Sequence, residues 1–248
     1  MHSSIRRPTI AAILAIAISG ALAGVGTQEG VNHPATGQAT GQKDAPSANA
    51  GSLLSTAGLY TLDICPVSQN KLGSMGDPVV KKYDDKEVRF CCNGCVGKYE
   101  ADTAKYDAVV AEKVKAQQLP HYPVTTCILM GDPLVDENGQ ASSFDVVQNN
   151  RAYRMCCKRC VRKLQRDAAA AAAKLDQAVA AAQRPTYPED ACLVSGEKLD
   201  SMGGPVEMVV ANRLVRLCCK SCARKVKKNP ATYIAKIDAK RGAKNLTK

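Results

Sequence analysis

The chain has 248 residues, 45% of them hydrophobic but only 4% aromatic, with 12 cysteines, no tryptophan and a formal net charge of +11. This composition excludes collagen-like and fully disordered chains. So much sulfur beside so few aromatics argues against one large core and for small units held through cysteine, and with only 3 histidines a His-built catalytic metal site is disfavoured.

In chain order, Arg6 and Arg7 precede an apolar run from Ile10 to Leu22, and Ala21-Leu22-Ala23 offers a small-x-small cleavage site before Gly24. Residues 1–23 read as a secretory signal peptide. The run is shorter than the ~20 residues of a spanning helix, so the expectation is cleavage, no transmembrane segment afterwards, and a periplasmic or secreted location. Residues 24–57 are rich in Gly, Ala, Thr, Ser, Gln and Pro. They carry too little apolar surface to order themselves and read as a disordered linker.

The remainder is a threefold repeat. The cysteines fall at 65, 91, 92 and 95, then 127, 156, 157 and 160, then 192, 218, 219 and 222. Each set is one lone cysteine followed by Cys-Cys-x-x-Cys, and a recurrence of this length marks tandem units. Tyr60, Tyr122 and Tyr187 each stand five residues before the lone cysteine, and Arg89, Arg154 and Arg216 two before the pair. The sequence predicts module 1 over 58–118, module 2 over 119–183, module 3 over 184–238 and a basic tail over 239–248.

Within a module the lone cysteine opens a loop. A hairpin follows, with turns at Asp84-Asp85, Asn149-Asn150 and Ala211-Asn212 between alternating apolar residues. The cysteine pair ends the second strand, and the last cysteine sits in the first turn of a helix. Asp102, Asp167 and Asn229 lie seven residues beyond that cysteine, as N-caps of a second helix, with Pro230 at a first helical position. In module 2 the run Ala168 to Ala173 consists of strong helix formers, so its helix is expected to continue unbroken. Helical linkers join the units, giving a small α+β fold of three hairpin-plus-helix modules.

Residues i and i+3 or i+4 share a helix face, so Cys92 with Cys95, or Cys91 with Cys95, can meet one ion, closed from the other side by Cys65. Soft thiolates select zinc or Cu(I) over magnesium or calcium, and such a site would staple a unit of about 55 residues that burial alone cannot hold. Lys158, Arg159, Arg162, Lys220, Arg224 and the helix N-terminus are expected to favour the thiolate.

Cys, hairpin, apolar-Cys-x-x-x-Cys and a helix with Pro and Tyr resembles the TRASH/YHS group of heavy-metal-binding modules. The resemblance covers most of 60–238, including Phe90 and Pro230-Ala231-Thr232-Tyr233. It implies treble-clef-like modules and a three-cysteine metal set at Cys65, Cys91 and Cys95; at Cys127, Cys156 and Cys160; and at Cys192, Cys218 and Cys222. Cys92, Cys157 and Cys219 are extra to the motif and are assigned as auxiliary thiols. By strand alternation Cys91 follows the phase of Arg89, while Cys92 follows Phe90 into the small core. Departures from the pattern are the long gap in module 2 and Ala171 where the family has Tyr.

The function that follows is exported binding of a soft metal ion, for storage, buffering or sensing, without catalysis. The alternative is a disulfide-stapled envelope interaction protein, since export and an even cysteine count suit disulfides. A thiol–disulfide oxidoreductase is a further rival, but no βαβ pattern surrounds Cys92-x-x-Cys95. His121 reads as a surface residue with accessory ligation the alternative, and Met75 and Met202 as packing residues with copper ligation the alternative. Residues 185–248 carry 13 Lys+Arg against 6 Asp+Glu. Export and the lack of a stacking surface argue against nucleic acid, leaving a solvated face or an anionic envelope surface as partner.

Overall fold

The structure is a computed structural model that describes residues 53–246; the signal-peptide reading and most of the linker reading fall outside them. Each repeat builds the same elements. Module 1 has β2 (Val79–Tyr83), β3 (Lys86–Phe90), α1 (Asn93–Ala101) and α2 (Thr103–Gln118). Module 2 has β4 (Phe144–Gln148), β5 (Arg151–Met155), α3 (Lys158–Arg166) and α4 (Ala168–Gln183). Module 3 has β6 (Val206–Val210), β7 (Arg213–Leu217), α5 (Lys220–Lys228) and α6 (Pro230–Leu246). A short strand β1 (Leu53–Leu54) precedes them, and a 3-10 turn spans Leu119–His121.

All three hairpins are antiparallel with equivalent register: Val79 opposes Phe90, Phe144 opposes Met155, and Val206 opposes Leu217. The turns of modules 2 and 3 have the left-handed geometry expected of tight two-residue loops, and in module 1 Asp84 alone does, with φ of 50°. Asn149 and Asn150 have φ of 48° and 60°, and Ala211 and Asn212 have 49° and 62°. Asparagine tolerates this region, whereas Ala211 occupies it at a cost of about 1–2 kcal/mol.

Two helix expectations are settled differently. Asp102 does cap α2, accepting a hydrogen bond from the Lys105 N–H at 3.1 Å. Asp167 does the same for Ala170 at 3.0 Å, so the module 2 helix does not run on through the alanines. Asp167 adopts φ −143° and ψ 71°, and its side-chain cap competes successfully with the helix propensity that follows. The break lets α4 turn back across its neighbours.

That turn interlocks the modules. α2 packs on β4 and β5 of module 2, and α4 packs on β6 and β7 of module 3. The cores are shared accordingly. Ala152 of module 2 joins the core of module 1 around Tyr60, Phe90, Tyr99 and Val114. Val209 of module 3 joins the core of module 2 around Tyr153, Met155, Leu164 and Leu175. Ala180 of α4 joins the core of module 3 around Met208, Leu214 and Ile237. The helices expected as linkers are therefore structural walls.

One glutamine makes each of the first two joints. At the end of α2, Gln118 accepts from the Ala152 N–H at 3.0 Å and donates to the Asn150 carbonyl at 3.0 Å. At the end of α4, Gln183 accepts from the Leu214 N–H at 2.7 Å and donates to the Asn212 carbonyl at 2.9 Å. These atoms belong to a hairpin's turn end, where backbone groups left unpaired in the interior would be costly.

Module 1 has no preceding helix, and the chain entering it takes over the role. Residues 53–57, the last of the expected disordered linker, are instead part of the fold. β1 pairs in parallel with β6, and the Thr56 hydroxyl donates to the Val209 carbonyl. The Gly58 carbonyl then accepts from the Glu87 N–H at 2.8 Å and from Asn150 Nδ2 at 2.9 Å. Gly58 has φ +74°, and a Cβ there would lie 2.0 Å from the Asp85 carbonyl oxygen, so only glycine fits this approach. Arg89 closes the remaining gap. Its Nη1 and Nη2 donate to the Lys228 and Lys227 carbonyls at 2.6 Å and 2.8 Å, satisfying orphan groups at the end of α5. α6 continues to Leu246, so residues 239–246 of the expected tail are its last turns.

Candidate metal centres

Each centre is built from a knuckle and a strand-to-helix junction. In the knuckle the lone cysteine's N–H and carbonyl are both satisfied locally. The Cys65 N–H donates to the Asn70 carbonyl and its carbonyl accepts from Gln69; Cys127 pairs likewise with Asp132 and Gly131, and Cys192 with Glu197 and Gly196. The fourth residue after the cysteine is left-handed in all three, with φ of 58° at Gln69 and 79° at Gly131 and Gly196. This tight turn holds the thiol toward the hairpin.

At the junction, β3, β5 and β7 end one residue before the cysteine pair. Cys92, Cys157 and Cys219 are the N-caps of α1, α3 and α5, with extended backbone (φ −161°, −157° and −157°). Cys95, Cys160 and Cys222 follow in the first helical turn. The result is three sulfur triads: Cys65, Cys91 and Cys95; Cys127, Cys156 and Cys160; Cys192, Cys218 and Cys222. Within each, all sulfurs lie within 4.8 Å of one another. The separations are 3.7 Å for Cys91–Cys95, 3.6 Å for Cys156–Cys160 and 3.9 Å for Cys218–Cys222. These suit thiolates sharing an ion and are far from the ~2.05 Å of a disulfide. The triads could hold a metal ion, and among the described residues no cysteine pair is at disulfide distance.

The expected burial of the vicinal pair is reversed. In modules 1 and 3 Cys91 and Cys218 are buried and Cys92 and Cys219 half-exposed, while in module 2 Cys156 and Cys157 are both half-exposed. Strand alternation does not carry into the second cysteine, because as N-cap it already belongs to the turn into the helix. Arg89 is itself buried and does not mark an open face.

Backbone amides, more than the basic side chains, set the thiol electrostatics. Burial disfavours the Cys65 thiolate, but the N–H groups of Ser68, Cys91 and Val67 and the Ser68 hydroxyl outweigh it and bring the pKa down to about 7. Burial likewise opposes ionisation of Cys192, and the Ser195 hydroxyl with the N–H groups of Cys218, Ser195 and Val194 lowers it to about 7. At the helix N-termini the Cys95 N–H lowers Cys92 and the Cys160 N–H lowers Cys157, while the Ser221 hydroxyl, 2.9 Å from Cys219, lowers that thiol to about 6. Burial pushes Cys95 and Cys222 up to about 12 and Cys160 to about 11. The side-chain charges of Lys158, Arg159, Arg162, Lys220 and Arg224 are not among the largest causes of these shifts, and Arg159 acts on Cys157 through its backbone N–H.

Residues outside the cysteine pattern complete the surroundings. Ser68 Oγ lies 3.2 Å from Cys91 Sγ and Ser195 Oγ 3.4 Å from Cys218 Sγ. In module 2 the Cys156 thiol donates to Asp132 Oδ2 at 3.3 Å; burial and this carboxylate raise its pKa. The shared Cys-x-Val-Ser of modules 1 and 3 was the available signal for the serines; Asp132 had none. The recurrent tyrosines and arginines are structural. The guanidinium carbons of Arg154 and Arg216 lie 5.8 Å and 5.6 Å from the ring centroids of Tyr122 and Tyr187, a cation–π contact. His121 belongs to none of the triads. Met75 and Met202 are exposed at 64% and 67% and do not pack as expected.

No helix among the described residues is long and apolar enough to cross a membrane. No protein-family model, curated protein or solved structure matches this chain.

Proposed function

We propose that the protein is an exported binder of a soft metal ion, zinc or Cu(I), that stores, buffers or senses it through cysteine thiolates in three TRASH/YHS-type, treble-clef-like modules and carries out no catalysis. The observation that carries this reading is the triad geometry, reproduced in three modules whose intervening sequences differ. Placement outside the inner membrane rests on the signal-peptide pattern of residues 1–23. The basic face of α3 and α5 suits an anionic envelope surface rather than nucleic acid.

Anaerobic titration of the reduced chain with Cu(I) or zinc, followed by native mass spectrometry, tests the reading. One ion per triad is expected. A mass deficit of paired hydrogens without bound metal would instead establish the disulfide-stapled alternative.

A further inference from the structure

The triads leave one cysteine per module unused, and its position carries information. Cys219 Sγ lies 3.9 Å from Cys218 Sγ and 3.6 Å from Cys222 Sγ, and those two are 3.9 Å apart. Cys218, Cys219 and Cys222 are thus a second closed triangle of sulfurs. It shares the Cys218–Cys222 edge with the triad containing Cys192. The fourth thiol stands outside the set whose members all lie within 4.8 Å of one another, so the long separation is Cys192–Cys219. Two sulfurs bound to one ion at the zinc–thiolate distance of about 2.3 Å can be at most about 4.6 Å apart. The four thiols as placed therefore do not enclose one ion together, as structural zinc would demand. They form two three-sulfur faces, one buried and one half-exposed. The other modules show two edges of the same triangle: Cys91 and Cys92 each lie 3.7 Å from Cys95, and Cys157 and Cys160 lie 3.8 Å and 3.6 Å from Cys156.

We infer that each module is a two-position path for a soft ion of three-sulfur coordination, Cu(I) in class. An outer face ending in Cys92, Cys157 or Cys219 exchanges the ion with solvent or a partner thiol, and an inner face ending in Cys65, Cys127 or Cys192 retains it. This rests on the metal-binding reading above and refines it. In the inward step the metal–sulfur bond to Cys219 breaks and one to Cys192 forms, while Cys218 and Cys222 keep hold. Cys192 enters as a thiolate, any proton it carried passing to solvent, and Cys219 leaves as a thiolate, so the coordination number and the charge of the metal–thiolate set are conserved and no oxidant is needed. A second feature fits the same ion. Each module exposes one thioether, at Met75, Met130 and Met202, whereas Met155 and Met208 are wholly buried; thioethers are soft donors that suit Cu(I).

The test uses the full reduced chain, loaded anaerobically with one Cu(I) per module and challenged with bathocuproine disulfonate in a stopped-flow instrument. In the variant Cys92→Ser/Cys157→Ser/Cys219→Ser, stoichiometry should be unchanged and copper release slowed about tenfold, the scale on which groups around a metal site act. The single variant Cys219→Ser keeps two intact modules as internal references and should add one slow phase carrying one module's share of the copper. Release at the wild-type rate, or loss of copper from the substituted modules, would overturn the two-position path. A wild-type chain that binds zinc but takes up no Cu(I) would likewise overturn the path and leave the metal-binding reading standing, whereas one that takes up neither ion would overturn that reading itself.

Discussion

Replacing Gln118 tests whether the modules stand as one interlocked body. The side chain is fully buried and satisfies two backbone groups of module 2, the Ala152 N–H and the Asn150 carbonyl, each at 3.0 Å. Gln118→Met keeps the length and volume but removes both partners. A buried donor or acceptor left unsatisfied costs about 1–3 kcal/mol, so with two such groups the variant should lose about 2–6 kcal/mol, a large fraction of the ~5–15 kcal/mol by which a domain is stable. Gln183→Met removes the equivalent pair at the next joint, where the side chain is only half-buried. Water can replace it there, and the loss should be about 1 kcal/mol. Urea unfolding of both variants and the wild type in one reducing buffer measures the difference, with unchanged m-values showing that stability alone has moved. A Gln118→Met chain within about 0.5 kcal/mol of wild type, the range of an ordinary surface change, would refute the joint as a source of stability.

Further outcomes follow from other residues. Ala211→Gly relieves a left-handed alanine and should raise stability by about 1 kcal/mol, or about 2–4 °C in Tm, read by differential scanning calorimetry. Arg89→Ala leaves the Lys227 and Lys228 carbonyls without their cationic donor and should cost about 2–4 kcal/mol, whereas Arg154→Ala, with its half-exposed partner Asp145, should cost under about 1 kcal/mol. In the reduced, metal-free protein Cys219 ionises at about 6 and Cys222 only at about 12. Iodoacetamide labelling of Cys219 should therefore climb as pH passes 6 and level off by 7, with Cys222 unlabelled throughout; peptide mapping in which Cys222 reacts first would contradict this electrostatic picture.

The threefold repeat, the hairpins with their turn residues and the four cysteines from which each triad is drawn were all legible in the sequence, because they are encoded locally, whereas the choice of Cys91 over Cys92 came from the family resemblance. The knuckle needs a residue that tolerates positive φ four positions after the lone cysteine, the hairpin needs Asn or Asp at its turn, and the last cysteine needs to stand one helical turn past the strand. Spacing along the chain captures each of these. What the sequence could not decide involves groups far apart along it. Alternation placed Cys92 in the core, but the N-cap conformation turned it outward. Helix propensity carried α3 into α4, but the Asp167 cap broke the helix so that α4 could bury Leu175 and Val179. Nothing in the periodicity marked Gln118 or Arg89 as joints or Gly58 as a substitute for the missing helix, because their partners lie up to 139 residues away. Those contacts exist because every buried backbone group needs a partner, and where that partner comes from is decided only when the three hairpin turns are brought together.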